Sequence, residues 1–242
     1  MLGRALVVLA AVVLVVMGAR PAAAADPLPT GVPGSWHLTW RDEFDGTALD
    51  RDRWEDLWYG QTDMNGQVKS AANVRVANGT LQLTVGADRS GAVVSSDPWG
   101  GATTGFEMTA GYVEARVWLP GSGTTVYGWP TWWTNGHDWP DGGEVDVVEG
   151  LGARATSNYH SAAGADNSGP VAGTWARSWH TYGVLREAGR NTIYWDGRVV
   201  RSYVTHDDLA PHHLIFTNGP GAVTRTGIDS QMRVDHVRVW TR

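Results

Sequence analysis

Cysteine is absent from the 242 residues, so neither a disulfide nor a thiolate metal centre can hold this chain together. Positive charge is scarce as well. The formal net charge is -6 and Lys and Arg are scattered singly, which leaves no basic footprint for nucleic acid. Only one long apolar run exists, at the start. Met1 to Arg4 ends in a cation, Ala5 to Met17 is almost wholly Ala, Val and Leu, and Ala22 to Ala25 are small. That order predicts a secretory signal peptide over residues 1–25, because the apolar part is too short to span a bilayer well. Also missing are repeats, long linkers and any convincing amphipathic helix of more than two turns.

What remains has a period of two. Residues 26–34 are rich in Pro and Gly and read as a tail into one domain over residues 35–242. Asn73 to Ala77 and Thr80 to Val85 alternate around Asn78-Gly79. Asn191 to Trp195 and Arg198 to Tyr203 flank Asp196-Gly197. Both dipeptides tolerate the positive φ angles of a type I′ turn, so both predict hairpins. Asn78-Gly79-Thr80 is also a glycosylation sequon, for which the turn is the simpler explanation. Many short strands with Gly-rich turns predict an all-β sandwich of two antiparallel sheets.

Tryptophan is abundant, at 14 residues. Trp40, Trp118, Trp195 and Trp240 lie in alternating runs and read as structural. Others are free to stack on the apolar faces of sugar rings. His206, His212 and His213 lack the spacing of a zinc site and read as a solvated loop.

The most informative segment is Glu144-Val-Asp146-Val-Val-Glu149. Its valines favour extended backbone. On a regular strand Glu144 and Asp146 share a face, and Glu149 points to the other. A bulge at Val147-Val148 would return Glu149 to the same side. Clustered acids raise one another's pKa, so at least one keeps a proton near neutrality. Retaining hydrolysis of a glycosidic bond needs an ionised nucleophile and a protonated acid about 5–5.5 Å apart. With one bulge the two glutamates would be about 13 Å apart at Cα and would have to lean together over Asp146. An aggregation-blocking edge strand or an oxygen-ligand cation site could use the same acids.

Over nearly all of the chain after residue 25, the order of landmarks resembles glycoside hydrolase family 16. Those landmarks are Trp40-Arg-Asp-Glu-Phe-Asp-Gly46, Gly111-Tyr-Val-Glu-Ala-Arg116, Trp129-Pro-Thr-Trp-Trp133, Trp139-Pro140 with Gly143 to Glu149, Trp179-His-Thr-Tyr182 and Val234 to Trp240. The resemblance implies a concanavalin A-like jelly roll with a concave cleft. It implies Glu144 as nucleophile, Asp146 as its helper and Glu149 as acid/base. It places Trp129, Trp133 and Trp139 in the cleft as substrate-binding residues and His160 beside Glu149. It also implies a structural calcium held by Glu43, the Gly79 carbonyl and Asp235, although Glu43 and Asp235 could equally cap turns or pair with arginines. The extra residue between the acids resembles the laminarinase-like branch. Thr131, Trp132, Phe216 to Ala222 and Gly183 to Arg186 depart from the family's usual residues, so the match does not name the sugar.

The expectation is therefore a secreted, monomeric, retaining endo-glycosidase of a β-linked polysaccharide, foremost a β-1,3-glucan, needing no cofactor for its chemistry. A galactan hydrolase or a transglycosylase would share every residue named. A lectin-like binding module would share the fold but has no need of three clustered acids.

Overall fold

The computed structural model describes residues 25–57, 63–64, 66–99 and 104–242, so the expected signal peptide, apart from Ala25, lies outside the described residues. Two large antiparallel sheets pack face to face as a jelly roll. The inner sheet runs Gly164–Pro170, Arg154–Ser161, Glu144–Leu151, Thr131–Gly136, His212–Asn218 and Ala92–Ser95, with Glu107–Met108 also paired to His212–Asn218. The outer sheet runs Arg198–Val204, Arg190–Trp195, Trp179–Glu187, Gly111–Trp118, Met232–Thr241, Thr80–Leu83 and Val74–Ala77, with His37–Asp42 added against Met232–Thr241. Helix among the described residues is limited to two 3-10 turns, Ala71–Asn73 and Gly227–Ser230.

Both hairpins form as expected. Asn78 and Gly79 have φ of 54° and 68°, and Asp196 and Gly197 have 46° and 72°, the paired left-handed residues of a type I′ turn. Between the sheets, Trp132, Val145, Val147, Leu214 and Phe216 meet Val113, Val117, Val184, Ile193 and Trp195, all essentially inaccessible to water. Alternation does the sorting. Trp132 enters this core, while Trp133 joins Val93 and Ile215 in a separate cluster.

The Pro- and Gly-rich segment before residue 35 is docked and does not trail. The Trp240 indole N–H donates to the Pro27 carbonyl at 2.8 Å, and the Thr30 N–H and hydroxyl donate to Glu114 at 2.9 and 3.0 Å. Val32 and Trp36 pack on Tyr112, Leu185 and Trp240. Glu114 is buried, and that burial raises its pKa despite the Thr30 donors.

Arg186, in one of the stretches that depart from the family, is fully buried between the sheets. It donates to the carbonyls of Thr109 and Ala210 at 3.1 and 3.0 Å and pairs with Asp207 at 3.5 Å. Its Nη1 also lies 2.7 Å from His212 Nδ1, and His212 Nε2 donates to the Gly142 carbonyl at 2.7 Å. The neighbouring Gly143 has φ of 72°, and a Cβ there would lie 2.7 Å from that of Asp207. Only glycine fits at this point, one residue before Glu144.

Candidate active site

The acid strand Glu144–Leu151 carries the expected bulge. On one side Asp146 pairs with Asn158 and Glu149 with Thr156, so three steps face two. On the other, Trp132 pairs with Val148 and Trp133 with Asp146, so two steps face one. Val147 has no partner in either register, and Val147 and Val148 are both buried in the core. The Trp195 indole reaches across from the outer sheet and donates to the Val147 carbonyl at 2.9 Å. Ser157, opposite the bulge, donates to the Asp146 carbonyl at 2.8 Å, and the Tyr203 hydroxyl donates to the Ser157 carbonyl at 2.6 Å. Trp195, read only as structural, thus satisfies the bulge that aims Glu149.

Glu144, Asp146 and Glu149 consequently line one cleft of about 580 Å³ with Trp129, Trp133, Trp139 and His160. Trp139 is 56 % exposed, whereas Trp133 is 5 % exposed and serves as floor. Glu149 is held at both oxygens. The Trp129 indole donates to Oε1 and the Asn158 amide to Oε2, each at 2.5 Å. Burial raises the pKa of all three acids. Glu144 goes up to about 8, through burial first and the neighbouring Asp146 second. Asp146 is pushed well above its ordinary range by burial and then by Glu149. For Glu149 burial also raises the value, against the pull of Trp129 and Asn158. The three titrate as one coupled set that retains protons near neutrality.

The family model for glycosyl hydrolases family 16 matches residues 60–229, well over half of the chain. The chain belongs to glycosyl hydrolases family 16. Among curated relatives, it is similar to glucan endo-1,3-beta-glucosidase A1 of Niallia circulans, with 25% identity over 89% of this chain and 39% of that protein. It is also similar to keratan-sulfate endo-1,4-beta-galactosidase of Sphingobacterium multivorum, with 26% identity over 85% and 55%. The chain thus spans less than two thirds of the length of these relatives. Among solved structures, SCLam, described as a non-specific endo-beta-1,3(4)-glucanase from the same family, superposes with a TM-score of 0.71 at 25% identity, covering 88% of this chain and 94% of that one.

Two family-derived expectations change in this member. His160 was expected beside Glu149. It is paired with Glu144 instead, with Nε2 3.3 Å from Asp146 and 3.9 Å from Glu144. The strand register is the reason, because Glu144 already pairs with His160 before the bulge begins, and beyond it Glu149 lies opposite Thr156 with Asn158 as its neighbour. The calcium residues do not fit an ion. Arg238 donates to both oxygens of Glu43 at 2.8 and 2.7 Å, and Asp235 pairs with Arg116 at 3.1 Å and His236 at 3.0 Å. Arginine supplies the positive charge that calcium would bring. The solvated-loop reading of the histidines holds only for exposed His206. His212 and His213 are buried on a strand, and burial drives the His213 pKa down to about 3.

Sequence reasoning missed Gln67, Lys69, Leu151 and Asn167, which also line the cleft, as do Thr131 and Thr217, two of the departures from the family's usual residues. It missed Asn158 too, although Asn158 lies two residues from His160 on a strand and so shares its face. Lys69 carried no local signal. It is buried, and burial lowers its ammonium to about 8.

Proposed function

We propose that this chain is a secreted, retaining endo-glycosidase that cleaves internal bonds of a β-1,3-glucan. The observation that carries the reading is the bulge at Val147-Val148, which gathers Glu144, Asp146 and Glu149 on one wall of a tryptophan-lined cleft. In the protonation state of the coupled set in which Glu144 is ionised and Glu149 keeps its proton, Glu144 attacks the anomeric carbon while Glu149 protonates the departing oxygen. Glu149 then deprotonates the water that releases the sugar from Glu144. Asp146, the most buried of the three, holds its proton and supports Glu144 as charge moves on and off it. Trp129 and Asn158 fix the Glu149 carboxyl, so no side-chain rotation is needed between acid and base roles. Trp139, exposed at the cleft wall, supplies a face on which a sugar ring stacks. The glucanases among its relatives support glucan as the substrate.

A second reading, hydrolysis of an anionic galactan, is favoured by one observation. Lys69 places a cation in the cleft, and the keratan-sulfate enzyme is among the relatives. A reducing-sugar assay on purified β-1,3-glucan, mixed-linkage glucan, agarose and a sulfated galactan, with product linkages determined, separates the two. Cleavage of β-1,3-glucan, lost in Glu144→Gln, is the expected result. Cleavage of the galactans alone overturns the glucan assignment. Full activity in Glu144→Gln overturns the catalytic one. Adding acceptor sugars reports any transfer activity.

A further inference from the structure

A second group of chemistry-bearing side chains lies on the concave sheet, outside the catalytic set. Register places Glu107, His213, Asn135, Glu144 and His160 in one row across five strands, and paired residues share a face. His213 is thus two strands from Glu144, about 10 Å away. One ligand atom from each of Asp97, His137 and His213 lies within 4.8 Å of the other two.

Asp97 and His137 are already oriented. Asp97 is fully buried. Its Oδ1 accepts from the Trp99 N–H at 2.8 Å, and its Oδ2 has no hydrogen-bond partner among the described residues. The His137 Nδ1 lies 3.5 Å from Asp97, and its Nε2 is hydrogen-bonded to Glu107. The Trp99 ring stacks on the His137 ring with centroids 3.9 Å apart, and the His213 ring lies 5.2 Å from that of His137. A buried carboxylate oxygen without a donor is costly unless a cation completes it. A histidine that turns one nitrogen towards such a centre and hands the other to a carboxylate has the arrangement of a metal ligand with its supporting partner.

We propose that Asp97, His137 and His213 form a divalent-metal site of the zinc class, with Glu107 orienting His137. Two imidazoles and one carboxylate suit zinc, whereas calcium and magnesium take oxygen sets. Tetrahedral zinc with bonds of about 2.1 Å needs donor atoms about 3.4 Å apart, so a side-chain shift on the order of an ångström closes the site. The ion ties the Asp97–Trp99 segment to the strand His212–Asn218 and to the turn after Thr131–Gly136. The fourth position is left for water or a sugar hydroxyl.

The test is zinc titration of untagged full-length protein after chelator treatment, read by calorimetry, by bound-metal analysis and by the zinc-induced rise in melting temperature. Asp97→Asn and His137→Gln are measured beside His160→Gln, which alters the other His–carboxylate group in the cleft. One zinc per chain is expected, kept in His160→Gln and weakened at least tenfold in both of the other variants. Glu107→Gln should weaken it by about 10–100-fold. Circular dichroism confirms that each variant is folded, and two independent ligands guard against the loss of one to misfolding. Absence of stoichiometric zinc overturns the proposal. So does zinc that is retained by folded Asp97→Asn and His137→Gln, or lost in His160→Gln, since the ion would then sit elsewhere.

Discussion

Glu149 accepts from two neutral donors, and each holds its pKa down against burial. Removing one must move that pKa up. In Asn158→Ala the alkaline limb of the kcat/KM profile, where the general acid loses its proton, should shift to higher pH. A pH–rate series on the two proteins checks this, and an unmoved or lowered limb contradicts the assigned hydrogen bond. Glu144 makes a separate prediction about stability. Its folded pKa, about 8, lies above its ordinary 4.5, so the folded state binds the proton more tightly than the unfolded chain. The resulting stability is fully present below about pH 4.5 and is lost as pH rises through the folded value. Glu144→Gln removes this dependence. Melting temperatures from pH 4 to 9 should therefore show the variant gaining on the parent by several degrees towards the alkaline end. A constant difference across the range would count against the raised value.

The catalytic strand is legible in sequence to an unusual depth, because parity alone demands a bulge. Two carboxylates at i and i+2 and a third at i+5 cannot share a face without one extra residue, and Val147-Val148 is where it lies. What parity cannot reveal is who satisfies the bulge. Trp195 is 48 residues away, on the opposite sheet, and its role depends on sheet packing that no local pattern encodes. The same holds for Asn158 against Glu149, which follows from the register shift, and for His160 beside Asp146, which follows from the cross-strand pairing of Glu144 with His160. The calcium residues illustrate the converse. Their types match the family's positions, but Arg238 and Arg116, on neighbouring strands of the outer sheet, engage them instead. Trp195→Phe tests the bulge as an element. Losing the donor to a buried carbonyl should cost about 1–3 kcal/mol of stability. It should lower kcat with little change in KM, because the acids lose their aim while the tryptophan wall stays. A variant that loses stability with kcat intact would make Trp195 a packing residue only.

At the scale of the molecule, no disulfide is available, so two packed sheets and a few buried polar networks hold the cleft open. The network of Arg186, Asp207 and His212 is the one that touches catalysis, since it fixes Gly142 and Gly143 ahead of Glu144. Arg186→Met would leave Asp207 buried without its partner, at a cost of about 3–5 kcal/mol. A fall in melting temperature on the order of 10 °C is expected. A change within a degree or two would show that the pair is dispensable. The outline of the sandwich, with its hairpins and period-two strands, was readable without coordinates. The docking of residues 27–36 on the outer sheet was not, because Pro and Gly signal loops whether or not other side chains capture them.

The central claim is that Glu144 becomes covalently attached to sugar while Glu149 serves as acid and base. The most direct measurement is trapping with a 2-deoxy-2-fluoro glycoside of the glycan shown to be cleaved, followed by proteolysis and mass spectrometry. The account predicts a stable glycosyl adduct on Glu144, absent in Glu144→Gln. An adduct on Glu149 or Asp146, or turnover of the cleaved glycan with inversion at the anomeric carbon, would contradict it.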